Sequence, residues 1–198
     1  MNNKQMNASE SLDLITRMIT DTRQNIERSA HRPFIVWGYA TIIVTLVVWY
    51  LYRTTQSENC FFIWFAIPVL AGIGMIITGK KDNKHTGYVR TPIDRVLSHI
   101  WIVLSVVAFI TTLSSFIKPL PILFIISILM GAGSTMTGLI LQQKTISIAG
   151  FAGIVLSLLF LTVDGINQCL IFAVIFFVMM VLPGHILQYR QHKQRSNV

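Results

Sequence analysis

The sequence predicts an all-helical integral membrane protein, a six-helix bundle preceded by a cytoplasmic amphipathic helix. Three observations predict it. Hydrophobic residues make up 53% of the 198 positions and charged residues only 12%, against about 25% charged in an average soluble domain. Six apolar stretches are each long enough to cross about 30 Å of hydrocarbon at about 1.5 Å per residue. Of the 16 Lys and Arg, 14 fall in alternate polar segments between those stretches.

Residues 1–32 form the first element. Asn7 can cap a helix running to Arg28, and Glu10 completes a capping-box pattern. Leu12, Ile15, Ile19 and Ile26 recur at helical spacing as an apolar stripe, with Met18 alongside. Asp13–Arg17, Arg17–Asp21 and Arg23–Glu27 are opposite charges one turn apart on the other faces. This helix is expected to end near His31 and Arg32, because Pro33 suits the first turn of a new helix. A helix that lies on lipid usually has a polar face rich in Lys and Arg. Ser9–Arg28 instead holds four acids and three bases. The stripe is therefore expected to dock on protein: its own inner face, a partner helix, or a second copy of this chain. The plain alternative is a structural cuff.

The six spans follow at about 33–52, 60–78, 96–116, 120–141, 146–163 and 166–187, and 188–198 is a basic tail. None of the six contains Asp, Glu, Lys or Arg. The connections carry polar residues, Gly or Pro: Arg53–Glu58, Lys80–Arg95, Lys118–Pro121, Gln142–Thr145 and Asp164–Gly165. Short links make three hairpins, of the first span with the second, the third with the fourth, and the fifth with the sixth. The polar stretch before the first span argues against a cleaved secretory signal.

Charge predicts the orientation. The positive-inside rule puts both termini in the cytoplasm of a cell membrane. The acidic residues split six to two between the same sides, so the whole net charge of +8 lies inside. That excess is topological and calls for no nucleic-acid partner, although a basic inner face attracts anionic membrane lipids. Trp49, Tyr50, Tyr52 and Trp64 near one boundary, and Trp37, Tyr39 and Trp101 near the other, read as interfacial aromatic belts.

Helices in lipid associate through small residues and polar contacts. Such faces occur in the first span (Gly38, Thr41, Thr45), the third (Ser105, Thr112), the fourth (Ser127, Gly131, Ser134, Thr135) and the fifth (Ala149, Gly153, Ser157). The sixth is mostly Ile, Phe, Val and Met. The third, fourth and fifth spans are therefore expected at the centre and the sixth facing lipid. Ser105, Thr112, Ser127, Gly131, Ser134 and Thr135 serve either as a helix-packing face or as a solute path, and packing is the ordinary use. Pro68, followed by Gly72 and Gly74, raises the question of a broken helix of the transporter type.

Residues able to do chemistry are few. The spans hold no acidic or strongly basic residue at mid-depth, which disfavours a proton relay of the usual kind. Asp164 lies in a turn. His99 and His185 sit at similar depth near the inner ends of the third and sixth spans, but no HExxH or CxxC spacing accompanies them. No metal and no cofactor is expected. Gly131-Ala132-Gly133-Ser134 has a serine nucleophile's spacing, yet no base lies at its depth. Cys60 and Cys169 open the second and sixth spans on one side. They are either bridged, if the compartment is oxidising and their Cα atoms lie within about 7 Å, or two buried thiols.

The runs Glu10–Ile15, Arg32–Tyr39, Leu120–Ile126 and Met180–Leu187 together resemble a family of uncharacterised bacterial multi-pass membrane proteins with an N-terminal amphipathic helix. The resemblance implies a bacterial cytoplasmic membrane and carries no catalytic residue. The sequence thus points to a non-enzymatic membrane component that binds or regulates a partner through Leu12, Ile15, Ile19 and Ile26. The alternative is a small-solute transporter or channel using the third and fourth spans.

Overall fold

A computed structural model describes residues 8–82 and 92–195 of the chain. Among them every regular element is helical: α1 (Ala8–Thr55), α2 (Ala66–Asp82), α3 (Pro92–Ile117), α4 (Ile122–Ile140), α5 (Lys144–Leu156), α6 (Gln168–Phe176) and α7 (Leu182–Arg195). Six stretches are long and apolar enough to cross a membrane: His31–Thr55, Glu58–Thr78, Ile93–Ile117, Ile122–Ile140, Lys144–Leu161 and Gly165–Arg190. They differ from the limits expected from sequence by at most three residues at any end.

The first departure is at Pro33. The helix was expected to stop before it, yet α1 runs unbroken for 48 residues with Pro33 inside. Proline removes one backbone donor and crowds the carbonyl four residues back. Pro33 lies where polar residues meet apolar ones, and there the freed carbonyl of Ser29 can be satisfied from outside the helix. The result is a rod of about 72 Å, more than twice the thickness of a hydrocarbon layer.

Proline accounts for the irregular opening of the second span and the irregular middle of the sixth; the short 3₁₀ turns Ser157–Leu161 and Gly165–Asn167 flank the turn between the fifth and sixth spans. The second span opens as a tight 3₁₀ segment, Glu58–Phe65, before α2. Pro68 cannot donate to the carbonyl of Trp64, so the chain ahead of it takes the narrower helix. Pro68 therefore sits in the first turn of α2, at the middle of the span, where the helix changes from 3₁₀ to α without an unwound break. In the sixth span, Pro183 follows a wide π-helical segment, Phe177–Val181, which joins α6 to α7. A proline at 183 would crowd the Met179 carbonyl in a regular helix, and the wider turn relieves it.

The second departure concerns burial. The sixth span, expected to face lipid, is the most buried, with 56% of its most apolar window enclosed; the third, expected at the centre, has 0%. The small residues mark where another helix's bulk is received. A Cβ at Gly38 would lie 2.7 Å from Val181 Cγ2, and one at Gly153 would lie 2.8 Å from Met179 Sδ. The π-helical side chains thus fill notches in α1 and α5. Cys169, Ile175, Met179 and Val181 are at most 2% exposed.

The α4–α5 hairpin makes the closest crossing. A Cβ at Gly131 would meet Ile154 Cγ1 at 2.6 Å, and one at Gly150 would meet Thr135 Oγ1 at the same distance. Between α4 and α5 the chain turns through Gln142 at φ +54°. The amide of Gln143 donates to the Gly138 carbonyl (2.8 Å) and that of Gln142 to the Leu139 carbonyl (3.1 Å). This is the paired closure of a Schellman end, with glutamine where glycine is usual.

The bundle's centre is therefore α1, α4, α5 and the sixth span. α2 leans on α1, and α3 packs broadly only on α4. Trp101 Nε1 ties α3 to α4 by donating to Thr137 Oγ1 at 3.2 Å.

Candidate functional site

The two peripheral helices leave a space between them. Phe62 and Phe116 stack at 5.7 Å, holding the second and third spans together at the end away from the termini. Toward the termini the spans part, and a cavity of about 960 Å³ lies between them and the core. That is the upper end of the usual range for small-ligand pockets, about 300–1,000 Å³.

Each wall is a single helix face. Phe34, Trp37 and Thr41 line it from α1, and Phe172, Phe176 and Met180 from the sixth span, all about one turn apart. Ile67 and Met75 come from the second span, and Ile126, Met130, Thr137 and Leu141 from the fourth. α3 supplies Leu97, Trp101, Ile102 and Ser105, and also the polar end: Asp94, Arg95, Ser98 and His99. From Arg95 to Ser105 the wall climbs about 15 Å, half the hydrocarbon thickness of a bilayer. The charged and imidazole groups of the wall therefore sit at one end of an otherwise mostly apolar chamber. Arg95 and His99 lie one turn apart on the same helix and both are exposed. Ser98 Oγ donates to the Asp94 backbone carbonyl at 2.8 Å.

The residues singled out from sequence are placed as follows. Of the six candidates for a solute path or packing face, only Ser105 lines the cavity. Ser127 and Ser134 are 0% exposed, and their hydroxyls have no partner among the described residues. Gly131 and Thr135 lie in the α4–α5 contact, where Thr135 Oγ1 donates to the Gly131 carbonyl at 2.8 Å. Thr112 Oγ1 donates to the Ala108 carbonyl of its own helix at 2.8 Å. The six do not form one continuous row along the cavity.

The histidines are also separated in role. His99 stands at the polar end of the cavity. His185 is outside its lining and bonds through Nε2 to Tyr39 Oη at 2.9 Å. Among the described residues no group of three or more His, Cys, Asp or Glu is placed to hold a metal. Cys60 and Cys169 are both buried and both free, so the bridge considered from sequence is absent. Cys60 Sγ lies 3.3 Å from Thr55 Oγ1.

Of the stripe on the first helix, only the Leu12 side chain is among the described residues. Leu12 is 65% exposed. The side chains of Ile15, Ile19 and Ile26 lie outside the described residues.

Sequence reasoning missed the cavity. Trp37 and Trp101 were read as belt residues, and the two signals that point elsewhere were weak. Phe34, Trp37 and Thr41 recur about one turn apart on α1. Asp94 and Arg95 stand at the very edge of a span, within a turn of Ser98 and His99.

No family model matches this chain, and no curated protein or solved structure matches it.

Proposed function

We propose that this chain is a non-enzymatic component of a bacterial cytoplasmic membrane, with both termini in the cytoplasm, that binds a protein partner through the N-terminal part of α1. The observation that carries the reading is the continuity of α1 from Ala8 to Thr55. One rod joins the apolar stripe to the bundle core and to the cavity wall at Phe34, Trp37 and Thr41. The stripe is thus carried on a helix continuous with the bundle, and Leu12, its first member, is exposed. The balanced charge of Ser9–Arg28 favours a protein surface over anionic lipid.

Native mass spectrometry of the protein extracted in mild detergent tests this. A bound protein or a second copy is expected, and Ile15→Asp with Ile19→Asp removes it while insertion is kept. Association unchanged in that double variant overturns the reading.

A second reading, a small-solute transporter or channel, is favoured by one observation: the cavity reaches past mid-depth with Ser105 and Thr41 on its walls. Cysteine placed at Ser105, Thr112, Ser127 and Ser134 separates the two. Reaction of all four with a water-soluble thiol reagent supports a path. Reaction at Ser105 alone leaves a closed-ended chamber.

A further inference from the structure

We propose that the cavity between the second and third spans is a binding site for an anionic membrane lipid, with an acyl chain in the apolar chamber and the headgroup at Arg95 and His99. The inference rests on the membrane placement of the bundle and is independent of what α1 binds.

Shape comes first. The second and third spans touch through the Phe62–Phe116 stack and part toward the termini, so the cavity lies between two helices that both present apolar faces outward. Ile76, Ile77, Val103 and Val106, on those two helices, are 52–65% exposed. In a bilayer such a gap adjoins acyl chains, and a chain can enter sideways without crossing water. Its α4 wall, from Ile126 to Leu141, runs about 22 Å, so the chamber reaches past one leaflet of about 15 Å and has the length for an extended acyl chain.

Chemistry comes second. Phe34, Trp101, Phe172 and Phe176 make the interior as apolar as the acyl chains outside it, so a chain exchanges one apolar surrounding for another and the preference for one lipid comes from its headgroup. A polar solute would leave its hydrogen bonds unmet over most of that surface. The polar end offers a guanidinium and an imidazole one turn apart, a pair that can both donate to a phosphate. Asp94 also lines this end, but it is not free. The Ser98 hydroxyl already donates to the Asp94 carbonyl, which leaves Arg95 and His99 as the outward donors. The same end of the bundle carries the whole net charge of +8, so an anionic headgroup is drawn there before it is bound.

The test uses the full-length protein in phosphatidylcholine vesicles doped with either phosphatidylglycerol or phosphatidylcholine carrying a photoreactive group on one acyl chain. Crosslinked positions are mapped by peptide mass spectrometry. The phosphatidylglycerol probe is expected to label cavity positions such as Met75 and Ile102 about fivefold more than the phosphatidylcholine probe, the factor that one basic contact supplies. Arg95→Gln, at an exposed position outside the core, is expected to bring the two probes level. Ser105→Trp puts bulk into the chamber beside Ile102 and is expected to lower labelling there by both probes. Equal labelling by the two probes in the wild type, or labelling confined to outward positions such as Phe109 and Ile110, overturns the proposal. So does labelling that neither variant changes. Association through α1 is read separately by Ile15→Asp with Ile19→Asp, so failure of one reading leaves the other standing.

Discussion

Replacing Gly138 with alanine tests the α4–α5 crossing on which the bundle core depends. A Cβ at this position would lie 2.5 Å from Ser147 Oγ and 2.9 Å from Ser147 Cα. Ordinary contact distances are about 3.5–4.0 Å, so the helices must part locally by about 1 Å. Because the Cα belongs to backbone, no rotamer change relieves the clash. Overpacking of this kind costs about 1–3 kcal/mol, and the rigid neighbour puts the cost at about 3 kcal/mol. Alanine returns about 0.5–1 kcal/mol of helix preference over glycine, leaving a net loss of about 2 kcal/mol, roughly thirtyfold in the folded-to-unfolded ratio. Gly72 is the matched control, since a Cβ there meets nothing within 4 Å. Gly72→Ala is expected to gain the preference of about 0.5–1 kcal/mol and nothing else. Reversible unfolding in mild detergent titrated with dodecyl sulfate measures both. If Gly138→Ala unfolds at the same midpoint as Gly72→Ala, the close crossing is not holding these helices and the reasoning fails.

Three further outcomes follow from local geometry. Gln142 holds φ +54° at the α4 end, a conformation that costs a side-chain-bearing residue about 1 kcal/mol. Gln142→Gly is therefore expected to raise the unfolding midpoint in the same titration by that amount, and a lowered midpoint contradicts it. Trp101→Phe removes the donor to Thr137 Oγ1, and a loss of about 1 kcal/mol is expected; an unchanged midpoint means that α3 is held by something else. Cys60 and Cys169 are expected to be alkylated by maleimide after denaturation without reductant, with identical gel mobility in reduced and non-reduced samples, because both are free.

The sequence makes the six apolar helices legible because lipid leaves a spanning chain only one open-ended solution, the helix with all its backbone bonds satisfied internally. What it hides is the pairing of faces. Gly38 and Gly153 are visible as notches, but periodicity along one helix does not say whose bulk fills them. The answer is Met179 and Val181, on the span whose uniform large side chains read as lipid-facing. Pro183 was visible too, yet the wide turn before it depends on a crowding that a sequence pattern does not display. Pro33 misled in the opposite direction, since proline disfavours a helix interior without forbidding it. The cavity was illegible for a further reason. It is a place where helices fail to meet, and the residues around it, such as Trp37 and Trp101, have an equally good reading as interfacial aromatics.

The most direct test of the account places a photoreactive amino acid at Leu12, whose side chain is 65% exposed, and irradiates intact membranes. The account predicts a discrete protein adduct that disappears when Ile15 and Ile19 are both changed to Asp. No protein adduct at Leu12, or an adduct that the double substitution leaves unchanged, would contradict it.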